Sequence, residues 1–492
     1  MDVDVFEGKP YAASSELAEN RDHAVPLCVD LDGTLVRTDI LLESLFLFLK
    51  RHFLQIFLLP FWLWKGRAFL KRQIAGKVDL DPGLLPYRED LLAYLREQRR
   101  AGRRLVLATA CDARLARQVA GYLGIFDEVL ASDGVTNLSG VRKANRLVEV
   151  YGERGFDYAG NDAADIAVWR RARRAIVVGA GAAVRRAAVR SGNVVEFFEG
   201  RRGGFLEYLR AIRMYQWVKN LLIFVPLAAA HELTDPAQLQ KAFVAFLAFS
   251  LCASSVYLLN DLLDLEADRR HARKRFRPLA AGTVPIAHGV LLIPLLLGAA
   301  FGTGALLAGN FVFLLAIYYV ITVAYSLWLK SLLVLDVLVL ACLYTLRIIA
   351  GGEAVGIMPS FWLLAFSVFL FFGLAIVKRA SELVPLQNVD KVVKVRSYRP
   401  IDLDALTSLG VPSGQLAVLV LALYINSDDI AQMYTHPRLI WLLCPLLLYW
   451  LARVWLLTWR GKMHDDPIVF ALKDRVSLGV AVAALLIVIA AL

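Results

Sequence analysis

Asn260-Asp-Leu-Leu-Asp-Leu-Glu-Ala-Asp268, continued by Arg269-Arg-His-Ala-Arg-Lys-Arg-Phe-Arg-Pro-Leu-Ala-Ala-Gly282, is the stretch on which the reading of this chain turns. It closes an apolar run centred near residue 250. Asp261, Asp264 and Asp268 stand at i, i+3 and i+7, a spacing that predicts one helical face, and Asn260 adds a neutral oxygen. Carboxylates at the end of a membrane helix are costly unless a cation neutralises them. Hard oxygens followed by Lys274, Arg275 and Arg277 suit a magnesium ion carrying a diphosphate. The plainer alternative is a solvated charged loop.

Working outward, the 492 residues are 58% hydrophobic and their mean hydropathy is +0.54. From about residue 220 the apolar runs approach 20 residues, enough to cross roughly 30 Å of hydrocarbon. About nine spans are predicted, centred near residues 225, 250, 296, 317, 341, 370, 420, 447 and 483. Basic residues gather before the first of these and after the second, fourth, sixth and eighth. The loops at 309–310, 351–360 and 426–436 carry almost none. That asymmetry predicts a multi-pass inner-membrane protein with its N-terminus and polar loops cytoplasmic and its C-terminus opposite. It also accounts for the net charge of +11 without nucleic acid. The acidic, polar start has no secretory pattern. Five scattered cysteines with no CxxC pair read as buried thiols, and seven dispersed histidines offer no metal site.

Residues 25–200 alternate short apolar runs with helical patterns, which predicts a parallel sheet covered by helices. The expected strands are 25–29, 104–108, 128–131, 157–159, 175–178 and 193–197. A polar tail at 1–24 precedes them and a basic linker at 201–212 follows. Residues 40–64 are apolar and aromatic but interrupted by Glu43, Lys50, Arg51, His52 and Pro60. A span with Lys-Arg-His at its middle is disfavoured. The expectation is a helical cap over 40–75 lying on the membrane surface, or else a buried helix pair.

The first domain has chemistry of its own. Cys28-Val-Asp-Leu-Asp-Gly-Thr-Leu-Val36 sets two carboxylates at a strand end, Asp30 placed to attack phosphorus and Asp32 to shuttle a proton. Thr109 ends a second strand, Lys143 follows Gly140, and Gly160-Asn-Asp-Ala-Ala-Asp165 offers Asp162 and Asp165 to magnesium. In this order the pieces resemble the haloacid dehalogenase superfamily of phosphatases. That resemblance implies a Rossmann-like α/β fold with Asp30 as phosphorylated nucleophile and metal ligand and Asp32 as general acid/base. Thr109, Lys143 and Asp162 would complete the site, with Asp165 supporting.

Residues 213–492 resemble the UbiA superfamily of intramembrane transferases, which carry an N-D-x-x-D-x-x-x-D motif and a basic stretch ending R-P-x-x-x-G. The resemblance implies an all-α polytopic bundle, Mg2+ on Asn260, Asp261, Asp264 and Asp268, and a diphosphate leaving group. Gln216-Trp-Val-Lys-Asn220, Tyr325-Ser-x-x-Leu-Lys330, Arg347-x-x-Ala-Gly-Gly352 and Lys378-Arg-x-x-Glu382 are similar to decaprenyl-phosphate phosphoribosyltransferases. This implies phosphoribosyl diphosphate as donor and polyprenyl phosphate as acceptor. Lys219, Asn220, Lys274, Arg275, Arg277, Tyr325, Lys330, Arg347, Lys378, Arg379 and Glu382 would then face substrate. For Lys330 and Arg347, helix-end snorkelling is the equal alternative. The usual second DxxxD motif is missing around Lys378–Asp390, a departure that disfavours a quinone-pathway prenyltransferase. The expected joint function is phosphoribosyl transfer followed by removal of the 5-phosphate, for envelope biosynthesis. The rivals are aromatic prenylation and a membrane-anchored phosphatase with non-catalytic spans.

Overall fold

The computed structural model describes residues 24–200, 203–307, 309–387, 397–427, 434–463 and 466–492. The tail at 1–24 (except residue 24), Arg201, Arg202, Asp390 and part of the 426–436 loop lie outside them. Two compact units emerge. One runs to Ala211 and takes in Leu258–Leu291, the other comprises Ile212–Tyr257 and Leu292–Leu492.

The first unit is built on six strands: β1 (Leu27–Val29), β2 (Leu105–Asp112), β3 (Glu128–Ser132), β4 (Asp157–Gly160), β5 (Ala175–Val178) and β6 (Val194–Phe198). Their order is β3-β2-β1-β4-β5-β6, every neighbouring pair parallel. Alternate residues feed opposite faces, as the two-residue repeat of a strand demands. Leu27, Val29, Leu105, Leu107, Ile176 and Val178 enter one core. Cys28, Val106, Ala108, Ala175 and Val177 enter the other. Burial on both faces explains why these strands read as continuous apolar runs. The strand order reverses between β1 and β4, so the crevice beyond their carboxyl ends is where such a sheet binds ligands. Asp30 and Asn161 sit there, one residue past each strand.

Residues 40–75 fold as four short helices, Ile40–Arg51, Phe53–Leu58, Leu59–Trp64 and Arg67–Ala75, and not as a span. Asp39 caps the first through Leu42 N–H. Phe48, Trp62, Ile74 and Val78 form a small core, while Leu54, Phe57 and Trp64 are each more than 80% exposed. That is an apolar surface of the kind an interfacial segment presents.

Six helices are long and apolar enough to cross a membrane: Pro236–Leu263, Ile286–Gly304, Leu335–Val355, Phe361–Leu386, Pro400–Ile425 and Pro437–Trp459. A seventh is counted if the pair Pro467–Lys473 and Arg475–Ala491, bent by 83°, is one span. The expected count of about nine is thus not reached among the described residues. The run near 225 is a 3-10 helix, Met214–Phe224, followed by the five-residue helix Val225–Ala229 with Pro226 in its first turn. The run near 317 is a 17-residue helix, Phe311–Leu327. In the second unit, Gly373, Gly410 and Gly414 let two helices approach closely. A Cβ on Gly373 would lie 3.2 Å from the Gly410 carbonyl.

Candidate active sites

In the first unit, Asp30 leaves β1 with its N–H donating to the Ala159 carbonyl at 3.0 Å, which fixes it at the mouth of the crevice. Lys143, on the helix Val141–Tyr151, is buried, and its ammonium donates to Asp30 Oδ1 at 2.9 Å and Tyr158 Oη at 2.8 Å. Desolvation opposes that charge, but Asp30 and Asp165 outweigh it and hold the ammonium above its ordinary range. Desolvation pushes the Asp30 carboxyl up to about 6 against the pull of Lys143, leaving it anionic at neutral pH. Asp32 is pushed up to about 8 by desolvation, then by Asp39 and Asp30, despite the Ile40 N–H donated to it at 2.8 Å. A charged carboxylate next to one that keeps its proton is a pairing suited to nucleophilic attack assisted by a general acid.

Asp30, Asp32 and Lys143 line a cavity of about 470 Å³, together with Asp162 and Asp165. Thr109 is wholly buried in β2, its hydroxyl accepting from Cys111 N–H, and its neighbour Ala110 lines the cavity. Asp165 is engaged at both oxygens. Oδ1 accepts from Tyr158 Oη at 2.7 Å, and Oδ2 accepts from the N–H groups of Asn161 and Asp162. It therefore ties the loop that carries Asp162, whose side chain is exposed. Tyr158 and Asn161 were missed by the sequence reading. Tyr158 reads as an ordinary apolar strand residue, and only its partners show its part.

Among the described residues no three His, Cys, Asp or Glu side chains converge as a metal cage. Magnesium keeps several waters and needs only one or two carboxylates. Asp30 and Asp162, both lining the cavity, fit that requirement.

The aspartate-rich segment departs from a single helical face. The helix Pro236–Leu263 stops, Asp264 takes a non-helical conformation, and a new helix Leu265–Arg270 begins. Arg277 Nη1 bridges Asp261 Oδ1 at 3.1 Å and Asp268 Oδ2 at 2.6 Å. Asp264 Oδ1 instead accepts from Lys50 of the cap at 2.7 Å. The three carboxylates thus divide two and one. Each has a protein cation on it, the complement expected of a hard-oxygen cation site. Burial raises the Asp268 carboxyl from its ordinary value against the pull of Arg277. Asn260 precedes Asp261 in the last turn of the helix, and Lys274 and Arg275 are exposed.

In the second unit, Lys219 and Lys378 converge on Asp466 Oδ2 at 2.7 and 3.1 Å. Asp466 was not singled out from sequence, although Asp before Pro467 is a helix-start signal and it does cap Pro467–Lys473. Arg347 is buried. It donates to Asn220 Oδ1, Leu343 O and Tyr318 Oη and lies over the Tyr318 and Tyr344 rings. Arg379 is spent on Asp336, Glu382 and Tyr325. Lys330, in the turn Leu329–Ser331, is half-buried. Lys219 with Lys378, and Asn220 with Arg347, are brought together; Arg379 with Glu382 and Tyr325 forms a third group.

The haloacid dehalogenase-like hydrolase pattern matches residues 27–170, and the UbiA prenyltransferase family pattern matches 221–475. Uncharacterized protein y4nM of Sinorhizobium fredii is 38% identical over 93% of this chain and 89% of its own length. Nodulation protein NoeC of Azorhizobium caulinodans is 35% identical over 56% of this chain and 89% of its own. Decaprenyl-phosphate phosphoribosyltransferase of Mycolicibacterium smegmatis is 41% identical over 36% of this chain, which spans 56% of that enzyme. With its carboxylate-rich helix end and its membrane helices inside the matched region, the chain belongs to the UbiA prenyltransferase family and carries a haloacid dehalogenase-like domain ahead of it.

Proposed function

We propose that the membrane domain transfers 5-phosphoribose from phosphoribosyl diphosphate to a polyprenyl phosphate, and that the N-terminal domain then removes the 5-phosphate. The observation that carries the choice of substrates is the pair Lys219 and Lys378 on Asp466. An aromatic acid brings at most one carboxylate charge and makes little use of a second cationic set. A phosphoribosyl donor and a lipid phosphate acceptor are both anionic beyond the leaving group. The likeness to a decaprenyl-phosphate phosphoribosyltransferase supports the same choice over the part it covers.

In the transfer, an acceptor phosphate oxygen forms a bond to the sugar's anomeric carbon as the bond to diphosphate breaks. No general base is required, because the nucleophile is already an anion. Lys274, Arg275 and Arg277 offset charge on the departing group, and Lys219 and Lys378 exchange Asp466 for substrate phosphate. In the dephosphorylation, Asp30 attacks phosphorus and the sugar oxygen leaves with the proton of Asp32. Asp32 then deprotonates the water that releases inorganic phosphate and restores Asp30. Lys143 offsets charge on the transferred group. Magnesium, held by Asn260, Asp261 and Asp264 at one site once Arg277 and Lys50 give up those carboxylates, and by Asp30 and Asp162 at the other, would neutralise phosphoryl oxygens.

The test supplies purified protein with both substrates and compares wild type with Asp30→Asn. Wild type is expected to release inorganic phosphate from the lipid product, and the variant to stop at the 5-phosphorylated lipid. Equal phosphate release from both sinks the coupled reading.

A further inference from the structure

We propose that Arg37 and Thr38 form a second anion subsite in the phosphatase cavity, one that receives a phosphodiester on the same sugar as the reacting phosphomonoester. This rests on the phosphatase reading above and deepens it by naming the substrate class.

The cations that line the cavity are mostly committed. Lys143 is held by Asp30 and Tyr158. Lys71 donates to the Ala110 carbonyl at 2.6 Å and Asn137 Oδ1 at 2.9 Å. Arg88 turns Nε and Nη2 to the Gly33 carbonyl. Arg37 differs: its Nε is buried and has no hydrogen-bond partner among the described residues. The same holds for Thr38 Oγ1, on a residue only 5% exposed. Arg37 and Thr38 both line the cavity and each carries a buried donor with no partner among the described residues, a lack that an acceptor arriving with the ligand would meet. A guanidinium beside a hydroxyl selects an anionic acceptor over a neutral one.

The pair is held in place. Arg37 N–H donates to the Pro86 carbonyl at 2.9 Å, which ties it to the segment ahead of the helix Glu89–Arg100, and the Thr38 carbonyl accepts from Gly33 N–H at 3.0 Å, which ties it to the loop that carries Asp32. Gly282 closes the other side. Its φ is +69°, and a Cβ there would lie 2.7 Å from Arg37 Cβ and 3.0 Å from the Arg37 carbonyl oxygen. Gly282, Thr283, Pro285, Ile286 and Ala287 line the cavity, and they end the basic stretch that follows the aspartate-rich motif. A volume of about 470 Å³ accommodates a sugar with two phosphoryl groups and exceeds what a lone phosphate requires. Leu41 and Ile286 also line the cavity and supply apolar surface suited to the first carbons of a lipid ester.

The experiment uses the full-length protein in detergent and two soluble probes. One is a 5-phosphoribose whose C1 carries a methyl phosphodiester; the other is methyl riboside 5-phosphate. Wild type is expected to favour the first in kcat/KM. Arg37→Gln should lower that preference roughly tenfold or more, the loss of one charge-assisted hydrogen bond. Thr38→Val should lower it less, and Arg37→Lys should retain part of it. Equal loss on both probes makes Arg37 a structural residue and overturns the subsite, as does an unchanged preference. Binding of the two probes to Asp30→Asn, with and without Arg37→Gln, separates the two layers. A preference for the diester probe that Arg37→Gln abolishes upholds the subsite even where wild type hydrolyses neither probe, a result that would end the phosphatase reading alone. Equal binding of both probes to Asp30→Asn overturns the subsite.

Discussion

Replacing Lys143 with Met should cost the N-terminal domain stability as well as activity, and the amount follows from its surroundings. The ammonium is almost wholly buried, 2.9 Å from Asp30 Oδ1 and 3.6 Å from Asp165 Oδ1. Removing one partner of a buried ion pair costs roughly 3–5 kcal/mol when the other must stay charged. Asp30 has an escape. Its carboxyl sits at about 6 even beside Lys143, so with that cation gone taking up a proton near pH 7 costs at most about 1.4 kcal/mol. The expected loss is therefore about 2–4 kcal/mol, which lowers the unfolding midpoint of a domain this size by roughly 4–16 °C. Asp30→Asn in the same background removes the stranded charge, so the double variant should recover part of the loss while remaining inactive. Thermal unfolding of the four proteins in detergent, followed by fluorescence, measures this cycle. A Lys143→Met midpoint equal to wild type, or a double variant that loses the sum of both singles, refutes the reasoning.

Three further outcomes are expected. Arg379→Met strands Asp336, which is wholly buried and also accepts from Tyr398 Oη, and should cost the membrane domain roughly 3–5 kcal/mol, read as lost monodisperse protein on gel filtration; Arg379→Met with Asp336→Leu should recover much of it. Lys50→Ala removes a cation from Asp264 across a half-exposed pair, so half-maximal transfer should need roughly two- to fivefold less Mg2+; an unchanged Mg2+ requirement would show that Lys50 does not compete for that carboxylate. Gly351→Ala puts a Cβ 2.1 Å from the Ile223 carbonyl oxygen and should cost roughly 1–3 kcal/mol by overpacking; a wild-type unfolding midpoint counts against that close approach.

The sheet was legible because each strand is a short apolar run between Gly, Asp or Asn, and all six appear within a few residues of their expected places. Asp30 and Lys143, 113 positions apart, were both singled out from sequence, because a strand end fixes one and a helix start the other, and the structure brings them into hydrogen bond. Tyr158 was not, since nothing in Asp157-Tyr-Ala-Gly160 distinguishes a structural tyrosine from one that links Lys143 to Asp165. The membrane helices were legible by length, but hydropathy does not register the conformation that breaks residues 214–229 into a 3-10 turn and a short helix. Spacing also could not anticipate that Asp264 would leave the helix and meet Lys50, more than 200 residues earlier. Pairings between distant segments of one chain leave no trace in local periodicity.

The most direct test offers the purified protein, with Mg2+, two substrate pairs in parallel: phosphoribosyl diphosphate with polyprenyl phosphate, and a prenyl diphosphate with an aromatic acid. Mass spectrometry of the lipid fraction should find a phosphoribosyl or ribosyl adduct of the polyprenyl phosphate from wild type and none from Asp261→Asn. A prenylated aromatic product, or an adduct that persists in Asp261→Asn, would contradict the account.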